Sequence, residues 1–142
     1  MGHEPVGEVV ALGPEATGVG IGDRRIVYPW IGCGVCKVCK NGEELLCNDP
    51  ITVGTRRDGG YAEYLLAPHA KYLVSYDGVD EAFAATAACS GITAYSALKK
   101  LKHLKSDQTV LIIGAGGVGL AAVGMAKACL LYTSPSPRDT PQ

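Results

Sequence analysis

Four cysteines, Cys33, Cys36, Cys39 and Cys47, fall within fifteen residues in the pattern C-x2-C-x2-C-x7-C. Four thiolates can surround one Zn2+ in a closed tetrahedron, a site that supports a fold and leaves no position for substrate. Metal binding would also order a stretch, Gly32 to Pro50, that shows neither helical nor strand periodicity. An iron–sulfur site or disulfides would use the same residues. Nothing at the start of the chain reads as a secretory signal, and clustered cysteines without one favour metal over disulfides. A zinc ribbon would need two well-separated C-x2-C pairs, which this spacing does not offer.

A second group is Gly114, Gly116 and Gly119, a G-x-G-x-x-G triplet that includes Gly117 and Val118. Alone it is weak in a chain with 19 glycines. It stands directly after the β-branched run Thr109–Ile113 and opens an apolar stretch from Leu120 to Ala128. A strand, a glycine turn and a helix in that order form a dinucleotide cradle. The first glycine permits the turn, the second lets backbone approach pyrophosphate, and the third lets helix and strand pack closely. His3 and Cys89 carry little weight by themselves. A histidine near a terminus is commonly a surface residue, and a cysteine among alanines a small buried one.

The elements that must position these groups divide in two. Val6–Leu12, Arg25–Tyr28, Tyr61–Leu66 and Tyr72–Val74 read as short strands separated by glycine turns, a β-rich, barrel-like unit. After Glu81 the pattern changes. Ala82–Ala88 begins a helix, and Ala94, Ala97, Leu98, Leu101 and Leu104 recur at helical spacing. Thr109–Ile113 reads as a buried parallel strand and Leu120–Ala128 as a helix.

These motifs stand in an order that resembles the zinc-dependent medium-chain alcohol dehydrogenases. Gly2-His3-Glu4 is similar to that family's catalytic-zinc motif, and Gly22-Asp23-Arg24 to the turn before its structural-zinc lobe. The four cysteines match the lobe itself. Gly60-Tyr61-Ala62-Glu63-Tyr64 matches the strand after it, and Ala88-Cys89-Ser90-Gly91-Ile92-Thr93-Ala94 the segment that carries a further ligand. The similarity covers residues 1 to about 128.

The resemblance implies a GroES-like catalytic domain over residues 1–88 and the first strand–helix unit of a Rossmann domain over 89–128, an α+β and α/β architecture. It implies a catalytic zinc bound by His3 and Cys89, with Glu4 as the acidic neighbour, and a structural zinc on Cys33, Cys36, Cys39 and Cys47. Thr93 would line the nicotinamide pocket, and Gly114, Gly116, Gly117, Val118 and Gly119 would hold NAD or NADP. The family's first cysteine ligand and its proton-relay hydroxyl, expected before His3, have no counterpart, so the chain by itself is expected to be inactive. Residues 129–142 resemble the translation of a transposase sequencing adapter and are read as a non-native end. Asp139, at the distance where an acidic residue selects NAD, is set aside for that reason.

The implied reaction is hydride transfer between an alcohol and its aldehyde or ketone. A polyol, aryl-alcohol or formaldehyde dehydrogenase of the same family is the near alternative, and a non-catalytic zinc-binding module the distant one. Zinc-free quinone reductases lack the four-cysteine lobe. Trp30 reads as a packed aromatic beside the lobe or a pocket residue, and His69 and His103 as surface residues. A net charge of -1 gives no footprint for nucleic acid, and no apolar run is long enough to span a membrane. The parent is expected to be cytoplasmic and a homodimer or homotetramer. Val110–Ile113 should stay partly exposed in this chain, because one strand cannot make a sheet.

Overall fold

The computed structural model describes residues 1–101 and 109–129; the side chain of Cys129 lies outside it. It forms two compact units, Met1–Cys89 and Ser90–Gln142. Lys102, His103, Leu104, Lys105 and the tail beyond Cys129, Asp139 included, lie outside the described residues.

In the first unit, β1 (Val6–Glu8), β2 (Arg24–Val27) and β3 (Leu73–Val74) make an antiparallel sheet in the order β1-β2-β3. β2 is central. Ile26 faces Val6 on one side and Val74 on the other. The β-branched residues of β2 suit a half-buried pleat, and both Ile26 and Val27 are buried. Pairing runs past the formal strand ends, with Tyr28 N–H donating to the Tyr72 carbonyl at 2.7 Å.

Helix α1 (Lys37–Lys40) is one turn inside the cysteine loop. Helix α2 (Glu81–Thr86) starts where Asp80 caps it, its carboxylate accepting from Phe83 N–H at 2.9 Å. A π-helical turn at Ala87–Gly91 follows. Two small cores result. Ile26, Ala84 and Ala88 gather Val6 and Tyr76. Ile31, Val53 and Tyr72 gather Tyr28, Ile51 and Leu65.

In the second unit, α3 (Ile92–Lys99) packs on α4 (Gly117–Cys129). Helix α3 buries Ala94 and Leu98, two of the positions expected from the helical spacing. Helix α4 begins three residues before the expected start, because Gly117 to Gly119 already belong to its first turn.

Two expected strands do not form. Tyr61–Leu66 is an irregular segment in which only Leu65 reaches a core, while Tyr61 is 83% exposed. Its alternation of aromatic and polar residues fits a strand, but no neighbouring segment offers it a ladder among the described residues. Thr109–Ile113 is irregular, with no ladder partner among the described residues, and Leu111 and Ile113 are 81% and 89% exposed. The exposure expected of this run is therefore present and the strand is not. No helix among the described residues is long and apolar enough to cross a membrane.

Candidate metal and cofactor sites

The cysteine lobe hangs from a short backbone clasp. Ile51 N–H donates to the Ile31 carbonyl at 2.9 Å, and Val53 N–H to the Pro29 carbonyl at 3.0 Å. These bonds bring the two ends of the loop together. Inside it, Cys36 caps α1, its sulfur accepting from Cys39 N–H at 3.5 Å. Cys33 Sγ accepts from Cys36 N–H at 3.4 Å, and Cys47 Sγ from Cys33 N–H at 3.4 Å. The Cys36 N–H favours the charged form of the Cys33 sulfur.

The four Sγ atoms lie within 4.8 Å of one another. Cys33–Cys39 and Cys36–Cys47 are 3.9 Å apart. A tetrahedron with Zn–S bonds of about 2.3 Å has edges of about 3.8 Å, so these two edges match it and all four sulfurs are close enough to converge on one zinc ion. All four are free thiols, not disulfides. The backbone N–H groups of Val35 and Cys36 pull the Cys33 thiol down to about 7. Burial, with the neighbouring thiols, pushes Cys39 up to about 12. A thiolate forms readily at one corner and reluctantly at another, and a divalent cation removes that conflict.

The wall beside the lobe is polar. Glu44 accepts from Gly32 N–H at 3.1 Å, from the Tyr72 hydroxyl at 2.5 Å and from Lys71 Nζ at 2.5 Å. Lys71 first, then Tyr72, holds its carboxyl down to about 2. Neither Glu44 nor its partners stood out in the sequence. They are 27 and 28 residues apart, with no periodic relation to reveal the contact.

His3, Glu4, Trp30 and Cys89 are linked in pairs, and among the described residues His3, Glu4 and Cys89 do not gather into a group that could hold a metal as the four cysteines do. The nitrogen Nδ1 of His3 is 2.7 Å from the Val53 carbonyl. A carbonyl only accepts, so Nδ1 carries the proton and Nε2 keeps a lone pair for a metal. The Trp30 ring meets His3 edge-on at 4.7 Å, and its Nε1–H donates to the Ala88 carbonyl at 3.2 Å. Trp30 thus links the residue before Cys89 to His3, a more specific place than the packing role expected beside the lobe. Burial raises the Cys89 thiol, and the negative charge of Glu4 raises it further. Glu4 is therefore close enough to Cys89 to be felt electrostatically.

The segment after the lobe acts here as a brace. Gly60 N–H donates to the Gly2 carbonyl at 2.8 Å, and Tyr61 N–H to the Met1 carbonyl at 3.3 Å. Gly2 has φ of +90°, and a Cβ on it would lie 2.5 Å from Tyr61 N. A Cβ on Gly59 would lie 2.3 Å from the Gly2 carbonyl oxygen. Only glycine allows this approach, and the approach fixes the backbone that carries His3.

In the second unit the glycine turn is formed. Gly114 has φ of +102°, and a Cβ on Gly119 would stand 1.9 Å from the Gly114 carbonyl oxygen. The first and third glycines of the motif are therefore packed on each other. A Cβ on Gly116 would meet no atom of the described residues within 4 Å, which leaves room beside the middle glycine, where a pyrophosphate would need it. Leu120 N–H donates to the Gly116 carbonyl at 2.9 Å, and the earlier N–H groups of α4 point out of its N-terminus. Val118 is exposed at that terminus, and Thr93 is exposed on α3.

Residues 1–77 match the family described as the alcohol dehydrogenase GroES-like domain. The chain belongs to this family. Among medium-chain alcohol dehydrogenases it is 44% identical over 129 residues to an NAD-dependent alcohol dehydrogenase of Sulfolobus acidocaldarius, covering 90% of this chain. The chain spans 37% of that relative's length. The D-arabinose dehydrogenase from Sulfolobus solfataricus superposes with a TM-score of 0.81 at 28% identity, over 97% of this chain and 45% of that one. A cobalt- and zinc-bound thermostable alcohol dehydrogenase from Pyrobaculum aerophilum superposes with a TM-score of 0.75 at 32% identity, over 89% of this chain and 38% of that one. The GroES-like fold and the four-cysteine cluster of this dehydrogenase family are both present in the chain.

Proposed function

We propose that the chain is part of a zinc-dependent alcohol dehydrogenase that moves hydride between an alcohol or its carbonyl partner and NAD or NADP. The observation that carries this reading is the arrangement of His3, with Nδ1 committed to the Val53 carbonyl and its other nitrogen left for a metal. His3 and Cys89 would hold the catalytic zinc. Cys33, Cys36, Cys39 and Cys47 would hold a structural one. Bound zinc supplies a Lewis acid that lowers the pKa of an alcohol oxygen and polarises a carbonyl.

The protein's own share is position and charge. The Val53 carbonyl fixes the His3 tautomer, and Trp30 limits the swing of the ring. Burial, and then Glu4, raise the Cys89 thiol, so a zinc held there would have to displace its proton. The turn from Gly114 to Gly119, with Gly116, Gly117 and Val118, would receive the cofactor pyrophosphate on the N-terminus of α4. Thr93 would face the nicotinamide. The divisions 1–88 and 89–128 follow as the GroES-like and nucleotide-binding parts. The reduced thiol cluster suits a reducing, cytoplasmic setting.

Two protein ligands do not close a three-ligand catalytic site, so the chain alone should not turn over. A chimera tests the reading. Residues 1–128 would replace the corresponding segment of the Sulfolobus acidocaldarius enzyme. NADH formation from simple alcohols should persist and should be lost in the chimera with His3→Ala or Cys89→Ala. A folded, zinc-loaded chimera whose activity ignores both substitutions would contradict it and favour a non-catalytic zinc module. The likeness to the D-arabinose dehydrogenase favours a sugar or polyol as second reading, separable by offering both substrate classes.

A further inference from the structure

Glu44 is not a zinc ligand, yet it touches both the lobe and the body of the first unit. Its Oε2 accepts from Gly32 N–H at 3.1 Å and from the Tyr72 hydroxyl at 2.5 Å. Its Oε1 accepts from Lys71 Nζ at 2.5 Å. Tyr72 is buried in the core with Ile31 and Val53, and its carbonyl accepts from Tyr28 N–H at 2.7 Å. The anchor is therefore rigid. Lys71 also lies over the Tyr72 ring, 4.7 Å from its centre.

Gly32 joins this network to the metal site. A Cβ there would stand 2.5 Å from Cys39 Sγ and 3.1 Å from Glu44 Cβ. Gly32 is thus pressed between a ligand sulfur and the Glu44 side chain, and the next residue is the first ligand, Cys33. The lobe has little apolar packing to hold it otherwise, since Val35, Leu45 and Leu46 are exposed.

We infer that Glu44 is a positioning residue for the four-cysteine site: it ties Gly32, and through it Cys33 and Cys39, to Tyr72 and Lys71, and so governs how slowly the metal leaves. The inference rests on the reading of the cluster as a zinc site. Ligand-orienting partners of this kind typically change metal affinity by about 10–100-fold. Glu44 acts on the lobe without contributing to the coordination sphere, so its removal leaves the four sulfurs in place but loosens their frame.

The test is zinc transfer from the zinc-loaded 142-residue chain to excess chromogenic chelator, followed by stopped flow. Glu44→Ala should release zinc about 10-fold or more faster. Tyr72→Phe should release it faster by a smaller factor, because Lys71 and Gly32 remain. Glu81→Gln removes an ion pair with Arg24 elsewhere in the same unit and should release zinc at the wild-type rate even where it lowers thermal stability. The Co2+-substituted Glu44→Ala chain should keep the visible bands of a four-thiolate tetrahedron, showing that the ligand set is intact. Equal release rates in Glu44→Ala and wild type would overturn the inference, as would a Glu81→Gln chain that loses zinc just as fast. A wild-type chain that binds no zinc would overturn the zinc reading and the inference with it, whereas zinc held with unchanged kinetics in Glu44→Ala overturns the inference alone.

Discussion

His3 and Val53, fifty residues apart, are joined by a 2.7 Å hydrogen bond from the imidazole Nδ1–H to the backbone carbonyl. The bond selects the tautomer of the neutral ring, with the proton on Nδ1 and Nε2 as the nitrogen free to bind a metal. Removing a histidine that holds zinc, the role proposed for His3, should cost more than the roughly 10–100-fold typical of an orienting partner. His3→Ala in the chimeric dehydrogenase should therefore lose more than that in kcat/KM. Steady-state kinetics with zinc in excess checks it, and retention of most of the activity would exclude His3 from the metal.

The lobe depends on its metal in a way the two cores do not. Val35, Leu45 and Leu46 are exposed, so burial contributes little between Cys33 and Cys47. Chelation should open this loop to protease first. Limited proteolysis with mass spectrometry should locate early cuts between Gly34 and Leu46 in chelator and none there with zinc. Cys39→Ser should reproduce the chelated pattern.

Two glycines of α4 should respond in opposite directions. A Cβ on Gly119 collides with the Gly114 carbonyl oxygen, while a Cβ on Gly124 meets nothing. Gly119→Ala should destabilise the second unit by about 1–3 kcal/mol, as overpacking does. Gly124→Ala should stabilise the helix by about 0.5–1 kcal/mol. Helical ellipticity against urea measures both.

Glu81 should titrate below its usual 4.5, because the Tyr76 hydroxyl and then Arg24 hydrogen-bond its charged form. A depressed carboxyl adds stability above its unfolded pKa and loses it as pH falls through the lower folded value. The stability gap between wild type and Glu81→Gln should therefore be present at neutral pH and close below 4.5. Half-exposed partners make the gap small, and salt should shrink it. Side-chain NMR titration gives the folded pKa directly, and a value at or above 4.5 would contradict the assignment.

The four cysteines were legible because their ligand spacing is local, and a loop of fifteen residues can bring them together without help from the rest of the fold. The glycine turn was legible for the same reason. His3 and Cys89 were not readable from spacing, being 86 residues apart, and only the order of motifs pointed to them. Trp30, whose indole joins their neighbourhoods, has its hydrogen bond to a backbone carbonyl, which no side-chain pattern reveals. Tyr61–Leu66 and Thr109–Ile113 misled because strand character in a sequence records suitability for a sheet, while a ladder needs a neighbour. The turn that leads into the first of these, Gly59 to Tyr61, braces the backbone at Met1 and Gly2, a role invisible to hydrophobic patterning.

Metal analysis of the purified chain, combined with thiol alkylation, weighs the whole account. The chain should carry about one tightly bound zinc. Alkylation should spare Cys33, Cys36, Cys39 and Cys47 until a chelator is added, and substituting any of the four should release the metal. A chain without zinc, or one in which these four sulfurs are found in disulfide pairs, would contradict it.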